Sequence, residues 1–171
     1  MEEQVILVDE QDRAIGTLEK LEAHREGLLH RAISVFIFDD QGRLLLHQRA
    51  AHKYHSANLW TNTCCSHPRP GESAQDAAHR RLREEMGMEA DLSFAFSFRY
   101  RAVFDNGLTE HEFDHVFIGR SSGLPSPNPA EVASYRWYSR SDIEHDIAAH
   151  ADSYTEWFKL VYSRAFDWLA L

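Results

Sequence analysis

Short apolar segments at strand spacing dominate the chain and predict a β-sheet. Residues 33–38 (ISVFIF) form a near-continuous run of β-branched and aromatic residues, which is typical of a buried strand. Turn-forming residues at 39–42 separate this run from a second apolar segment at 43–48, so the chain is expected to fold back there. Further strands are predicted at residues 4–8, 15–18, 94–98, 109–119 and 135–138, the first two as a small hairpin.

Apolar residues at helical spacing define one central and two C-terminal segments. Between residues 72 and 86 they recur every three to four positions, and Gly87 is expected to cap the helix. Further helices are predicted at residues 19–24, 142–150 and 154–169. The polar segment 51–58 and the proline-rich segment 125–129 are interpreted as loops.

The order of these elements predicts the fold class. Strands and helices alternate irregularly along the chain, which favours an α+β fold with a mixed β-sheet packed between helices. Phe94, Phe96 and Phe98 alternate with smaller residues and are expected on one face of their strand. At 171 residues, with no repeats, residues 1–171 are expected to form a single compact domain.

Composition and charge narrow the classes of partner. The net charge of −9 argues against a general nucleic-acid binder, because affinity for the phosphate backbone depends on clustered Lys and Arg. No apolar run approaches the ~18 residues of a membrane span, and the acidic N-terminus lacks the features of a signal peptide. We therefore expect a cytoplasmic protein with no membrane or nucleic-acid partner, present as a monomer or a weak homodimer.

The two cysteines, Cys64 and Cys65, are adjacent in the sequence. Neighbouring Cα atoms lie ~3.8 Å apart, which is closer than the ~4.4 Å lower end for ordinary disulfides. Two reduced thiols are therefore expected, in a reducing compartment. For Cys65 three interpretations are open: a small buried apolar residue, a structural zinc ligand or a catalytic thiol. No second Cys or His pair at zinc spacing supports the zinc interpretation.

Residues 66–88 form a degenerate Nudix box, whose pattern is G-x5-E-x7-R-E-U-x-E-E-x-G-U. Two positions depart from the pattern: Ser66 replaces the opening Gly, and Arg81 replaces the Glu of the R-E pair. In Nudix hydrolases that Glu shares a metal with the last Glu of the box, so a hydrolytic metal ligand is missing here. The matching positions are Glu72, Arg80, Leu82, Glu84, Glu85, Gly87 and Met88.

A second group of residues is suited to metal binding. Glu110 and Glu112 are two apart on a predicted strand, so both carboxylates project from one face. Such close like charges are costly unless a cation or a proton lies between them, although a solvated strand face is the simpler alternative. The chain contains eleven histidines, which favours a metal-binding site. Imidazole together with carboxylate suits manganese, iron or zinc. The candidate imidazole ligands are His24, His30 and His67.

Cationic residues accompany this group along the chain. Arg81 and Glu85 are four residues apart and share a helix face, where the plain interpretation is a surface salt bridge. The functional interpretation puts Arg81 on a diphosphate and Glu85 on the Mg²⁺ that the diphosphate also binds. Other cations that could reach such an anion include Lys20, Arg49 and Lys53.

Together these residues resemble type I isopentenyl-diphosphate isomerases, which are built on a Nudix-like fold. The segments LEAHREGLLHRAISVF, TNTCCSHP and TEHEF carry the resemblance, and it spans nearly the whole chain. The resemblance implies one tightly bound divalent metal, manganese or alternatively zinc, and a Mg²⁺ that arrives with a small-molecule diphosphate and binds Glu85. It assigns the tight metal to His24, His30, His67, Glu110 and Glu112, the diphosphate to Lys20, Arg49, Lys53 and Arg81, and proton transfer to Cys65, Glu112 and Tyr100.

The implied reaction interconverts isopentenyl diphosphate and dimethylallyl diphosphate through a tertiary carbocation, with Trp157 facing the hydrocarbon. Glu156 stands where the family often has a proline, so Trp157 is the assignment that the sequence supports least. Two other functions stay open at this stage. One is a Nudix pyrophosphohydrolase, and the other is a non-catalytic module that binds a metal or a diphosphate.

Overall fold

The computed structural model of the protein describes residues 3–171. Within this range one mixed sheet contains nine strands, which are numbered here in chain order together with four α-helices. The strands are β1 (Gln4–Val8), β2 (Ala14–Glu19), β3 (His30–Phe38), β4 (Leu44–Arg49), β5 (Trp60–Thr61), β6 (Cys64–Ser66), β7 (Leu92–Val103), β8 (Thr109–Arg120) and β9 (Val132–Tyr138). The helices are α1 (Lys20–Glu26), α2 (Ala74–Met86), α3 (Arg140–His150) and α4 (Glu156–Leu169). A short 3₁₀ turn, Ala151–Ser153, separates α3 from α4.

Strand β3 is the centre of the sheet and brings distant parts of the chain together. It pairs in parallel with β8 along its whole length, which sets His30 directly beside Glu112. On its other side it pairs antiparallel with β6, where Ser34 faces Cys65 across the ladder. Strand β7 continues the sheet beyond β8 as an antiparallel hairpin, in which Tyr100 lies opposite Glu112.

Helices cover both faces of the sheet, as the sequence predicts. The apolar side of α2, including Leu82 and Met86, packs on one face against β3 and on Cys64. Helix α4 packs on the other face through Trp157, Phe158 and neighbouring apolar residues. Because successive strand residues point to opposite faces, Cys64 is buried under α2, whereas Cys65 projects toward α4. The adjacent cysteines are both free.

The observed boundaries differ from the predicted ones where side chains or tertiary pairing end an element. Helix α2 begins at Ala74 and not at residue 72, because the Ser73 hydroxyl accepts a hydrogen bond from the Asp76 amide and caps the helix. It ends at Gly87, whose φ of 61° is left-handed, as predicted. A Cβ at this position would also lie 2.5 Å from the Ser126 carbonyl oxygen.

Two expectations for the surrounding segments are wrong in detail. Helix α4 begins at Glu156 instead of residue 154, because Tyr154 forms an isolated bridge with Trp60. Phe94 does not share the face of Phe96: it is 51% exposed, whereas Phe96 is buried. The reason is a register shift in β7 between these two residues. The extra residue of a β-bulge changes the face of the sheet to which the following side chains point.

Candidate active site

Three imidazoles and two carboxylates meet beneath one end of the sheet. His24 comes from α1, His30 from the start of β3, and His67 directly follows β6. Glu110 and Glu112 project together from β8, as their spacing predicts. One potential ligand atom from each of the five residues lies within 4.8 Å of all the others, and all five residues are buried.

The hydrogen bonds of two histidines hold their Nδ1 atoms on backbone carbonyls and turn their Nε2 atoms toward the carboxylates. Nδ1 of His24 lies 2.7 Å from the Lys20 carbonyl oxygen, and Nδ1 of His30 lies 2.9 Å from that of Leu28. A carbonyl only accepts, so both Nδ1 atoms carry a proton and each ring directs its Nε2 at the centre. There Nε2 of His24 lies 3.0 Å from a Glu110 oxygen, and Nε2 of His30 has no hydrogen-bond partner.

Imidazole nitrogens and carboxylates that converge in a buried space need a cation or protons between them. Two carboxylates carry two negative charges, which one divalent metal would neutralise, and three nitrogens with carboxylate oxygens form a ligand set suited to such ions. The carbonyl contacts of His24 and His30 are the outer hydrogen bonds that commonly orient metal-bound imidazoles. The donor set therefore fits a divalent metal, although the binding of metal by these five residues stays a prediction.

Glu112 connects this cluster to a buried tyrosine. Its Oε2 lies 2.8 Å from Nε2 of His67, while its Oε1 accepts a short hydrogen bond from the Tyr100 hydroxyl. Burial and the nearby charge of Glu112 raise the pKa of Tyr100 well above its usual value, so the hydroxyl keeps its proton. One oxygen of Glu112 therefore faces the other members of the five-residue histidine–glutamate cluster, which is called the metal-type cluster below. The other oxygen accepts a hydrogen bond from a hydroxyl that stays protonated.

The Cys65 thiol is held between a fixed acceptor and a fixed donor. Its Sγ donates to Oδ1 of Asn62 at 3.0 Å and accepts from the Trp157 indole N–H at 3.1 Å. Asn62 cannot turn its amide round, because its Nδ2 donates to the carbonyls of Val35 and Cys64. Burial raises the pKa of Cys65 to about 12, so the group is a thiol at neutral pH.

Four cations line the wall of the same cavity. Arg81 donates to Glu85 at 2.9 Å, as their helical spacing predicts, but both side chains are largely buried and this pair is not the plain surface salt bridge considered above. The other oxygen of Glu85 is buried without a partner, which suits a residue that binds a cation. Burial raises the pKa of Glu85 despite the opposing charge of Arg81. The remaining cations of this wall are Lys20, Arg49 and Lys53.

One cavity unites the site residues that the sequence predicts. The space it encloses, counted out to its open mouth, is about 570 Å³. Its lining includes all four cations, the thiol of Cys65, Tyr100, Glu112 and Trp157. His67, Glu85 and Glu110 also contribute to the lining, whereas the other two members of the cluster, His24 and His30, are fully buried behind it.

Besides Ser66, which the sequence analysis treats only as a position of the degenerate box, four residues of the lining were missed by sequence reasoning. Glu3 and Glu131 form ion pairs with the cationic wall, Glu3 with Lys20 and Glu131 with Lys53. Tyr54 and His55 belong to the segment that the sequence marks only as polar and irregular, and the His55 ring lies 2.7 Å from Glu110. The one signal for Tyr54 and His55 in the sequence was that they directly follow Lys53, a candidate diphosphate ligand.

The fold and this site define a Nudix-type domain, and comparison with known proteins agrees. A model of the NUDIX domain family matches residues 28–158. Among solved structures, DR0079 from Deinococcus radiodurans superposes with a TM-score of 0.78 over 94% of this chain and 98% of its own, at 24% identity. At that identity the likeness supports the fold alone.

Curated relatives define the family within this fold. Isopentenyl-diphosphate Delta-isomerase 1 of Aromatoleum aromaticum is 55% identical over 164 residues, which cover 96% of this chain and 93% of the relative. Isopentenyl-diphosphate Delta-isomerase of Burkholderia multivorans is 52% identical over 165 residues, covering 96% and 94%. The chain therefore belongs to the isopentenyl-diphosphate Delta-isomerase family of Nudix proteins. No helix between residues 3 and 171 has the length and apolar character needed to cross a membrane.

Proposed function

We propose that this protein is an enzyme that interconverts isopentenyl diphosphate and dimethylallyl diphosphate, a step of isoprenoid biosynthesis. The observation that carries the proposal is the pairing, in one cavity, of a protonated thiol with a tyrosine-bound carboxylate, next to four cations. A diphosphate ester with a short hydrocarbon tail matches this cavity, because one part is cationic and the other is lined by Trp157 and Tyr100. Membership of the isomerase family supports the same reaction.

Proton addition and removal explain why an acid and a base are both needed. An allylic C–H is too weakly acidic for direct removal by a carboxylate. Protonation of the terminal alkene carbon forms a new C–H bond and a tertiary carbocation, and loss of a proton from the adjacent carbon forms the new double bond. Cys65 and Glu112 are the two proton-transfer groups in our proposal, with Tyr100 holding the glutamate. In the reverse reaction the two groups exchange roles.

The cationic wall would bind the diphosphate. Lys20, Arg49, Lys53 and Arg81 offer charge-assisted hydrogen bonds to phosphate oxygens. Glu85, with one oxygen on Arg81 and the other without a partner, would hold the Mg²⁺ that accompanies the substrate. Arg81 thus contacts the diphosphate at a position where Nudix hydrolases have a metal-binding Glu, which explains the degenerate box at 66–88.

The buried cluster would hold the second metal, for which we propose manganese, with zinc as the alternative. The residues concerned are His24, His30, His67, Glu110 and Glu112. When bound, the ion supplies positive charge that stabilises the ionised form of Glu112 and fixes its orientation. Glu112 would then contact substrate through a carboxylate that Tyr100 orients on one side and the imidazoles on the other.

The surroundings of Trp157 fit protection of a carbocation. Its ring is buried, and its contact with Arg49 and Tyr100 places it in the cavity wall. A desolvated cation–π contact contributes ~2 kcal/mol, whereas enzymes lower barriers by ~8–23 kcal/mol. The aromatic ring therefore assists, and placement of acid and base together with exclusion of water supply the larger part.

A single experiment separates this proposal from the alternatives. The protein is incubated with isopentenyl diphosphate, Mg²⁺ and Mn²⁺ in D₂O and followed by NMR. An isomerase produces dimethylallyl diphosphate that carries deuterium. Release of phosphate or diphosphate without that product would instead identify a Nudix hydrolase, and an unchanged spectrum would leave only a binding module. Either of these results would overturn the proposal.

The setting of the reaction is also part of the proposal. We place it in the cytoplasm, in a protein that acts as a monomer or a weak homodimer on a small-molecule substrate. We take residues 1–171 as one isomerase domain. Analytical ultracentrifugation with and without substrate tests the oligomeric state.

A further inference from the structure

His55 contacts the buried metal-type cluster without belonging to it. Its Nε2 lies 2.7 Å from Oε2 of Glu110, the same oxygen that His24 approaches at 3.0 Å. The compact group of potential ligand atoms contains His24 and Glu110 but not His55. The residue comes from the irregular segment between β4 and β5 and is 6% exposed, so its ring is fixed inside the protein.

The hydrogen bonds of His55 define which of its nitrogens carries the proton. At 2.7 Å from Nε2 of His55, the Glu110 carboxylate oxygen accepts a hydrogen bond. Nε2 of His55 therefore donates its N–H to Glu110. Nδ1 lies 3.1 Å from the Ser56 hydroxyl, which can donate to it. In His24 and His30, by contrast, Nδ1 is the nitrogen that donates to a backbone carbonyl.

The ring of His55 is clamped by its aromatic neighbours. It stacks on Phe104, with ring centroids 4.7 Å apart and planes 8° from parallel. Its edges meet Tyr54 and Trp157. Ser56 is in the left-handed region with a φ of 53°, a conformation that tertiary contacts must hold for a residue other than glycine. A side chain so constrained aims its N–H at one carboxylate oxygen with little freedom.

We propose that His55 is a positioning residue that fixes the carboxylate of Glu110 for metal binding. This inference rests on the metal site proposed above. Two contacts on a carboxylate restrict its rotation more than one does, and His55 contacts the same oxygen of Glu110 as His24, so its N–H limits the orientations that Glu110 can adopt toward an ion. Partners of this kind around metal ligands typically change metal affinity by ~10–100-fold when they are removed.

His55 also couples the metal-type cluster to the substrate wall. Its backbone carbonyl accepts a hydrogen bond from Arg49 at 3.2 Å, and its ring edge contacts Trp157. Displacement of the segment would therefore move a proposed diphosphate contact and the aromatic wall together. Metal affinity, measured without substrate, isolates the first of these effects.

The test compares two substitutions that differ in one donor. His55→Leu removes the N–H and keeps an apolar side chain of moderate size, whereas His55→Gln places an amide N–H near the position of Nε2. Affinity for Mn²⁺ and Zn²⁺ is measured by competition with a chromogenic chelator. We expect His55→Leu to bind ~10–100-fold more weakly and His55→Gln to recover most of that loss. His52→Leu is the matched control, because His52 is an exposed histidine of the same segment.

Two reference measurements make the outcome unambiguous. His30→Ala removes a proposed ligand, so unchanged affinity in that variant would overturn the metal site and this inference with it. A strong effect of His30→Ala beside an unchanged His55→Leu would overturn the role of His55 alone. Equal loss in His55→Leu and His55→Gln would also contradict it, because the donor would then not be the cause. Circular dichroism and urea unfolding of the chelator-treated variants test whether each one is folded. If His55→Leu is unfolded, the affinities of His55→Gln and Ser56→Ala for Mn²⁺ and Zn²⁺ decide instead.

Discussion

Trp157 is expected to act on the thiol as well as on the hydrocarbon, and Trp157→Phe separates the two roles. Phenylalanine keeps an aromatic face in the cavity wall but lacks the indole N–H that lies 3.1 Å from Sγ of Cys65. In the proposed mechanism Cys65 is one of the two proton-transfer groups, so its thiolate exists at one end of the proton transfer in either direction. A donor on sulfur therefore stabilises a charge that the reaction must create or consume.

The size of the effect follows from the charge on sulfur. A hydrogen bond to a charged group contributes about 1.5–3 kcal/mol, which corresponds to roughly 10- to 150-fold in rate if it is lost in the transition state. Loss of the same donor raises the pKa of Cys65 further above its value of about 12, because the N–H favours the thiolate. Both changes have one cause, so they should occur together.

The assay is deuterium incorporation into dimethylallyl diphosphate, combined with the rate of thiol alkylation by iodoacetamide. Alkylation is measured in a Cys64→Ala background, so that Cys65 is the one reactive cysteine. We expect Trp157→Phe to slow both reactions and Trp157→Ala to slow turnover further, because it also removes the ring. Urea unfolding of each variant separates a loss of packing from a loss of rate. Turnover by Trp157→Phe within about threefold of the parent, with an unchanged alkylation rate, would refute the reasoning.

Three other predictions concern the thiol pair, the metal and the pH dependence of stability. Cys65→Ala and Cys64→Ala should differ sharply in turnover, the first losing nearly all activity and the second little, because the two side chains project from opposite faces of β6. Removal of metal by a strong chelator should lower the thermal unfolding temperature, since two buried carboxylates would lose their counter-ion, and Mn²⁺ should restore it. Burial lowers the pKa of His47 from 6.5 to about 4, so unfolded chains take up its proton first as the pH falls. The free energy of unfolding should therefore decrease between these pH values, by up to about 3 kcal/mol from this residue.

Each of these predictions has its own control. Retention of more than about a tenth of the activity by Cys65→Ala, a barrier change below 1.4 kcal/mol, would remove the thiol from the mechanism. An unfolding temperature that does not respond to chelator would argue against a tight metal. For the pH dependence, His47→Asn keeps a donor toward the Thr63 carbonyl, which Nδ1 contacts at 2.9 Å, and should flatten the acid slope. An identical slope in that variant would assign the effect to other groups.

Much of the fold could be read from local patterns. Residues 33–38 lie within β3 and residues 43–48 largely within β4, because a buried strand and its turn leave a signal in a few consecutive residues. Boundaries were less accurate where a contact outside the segment decides, as with the Ser73 cap of α2 and the bulge after Phe94. The short strands β5 and β6 were missed, since strands of two or three residues carry almost no periodicity.

The site was predicted unevenly for a related reason. Motif spacing and family resemblance pointed to candidate residues such as Cys65, Glu110 and Glu112, which line one cavity. They did not identify His55, whose proposed role depends on its contact with Glu110 of β8, or Asn62, whose amide oxygen accepts from the Cys65 thiol. Neither residue has a distinctive local pattern. Their contacts became evident only from distances between atoms.

The sequence by itself indicated most of the elements, the degenerate box and the candidate groups for the chemistry. These depend on residue types and on spacings within one segment, which hydrophobic burial and backbone geometry convert directly into local structure. The tertiary structure decided which groups face each other. His24 and Glu110 are 86 residues apart, and Cys65 and Trp157 are 92 apart, yet each pair is in hydrogen-bond contact. The pairing of β3 with β8 and the packing of α4 on the sheet bring them together, and these contacts depend on the whole core and not on any one segment.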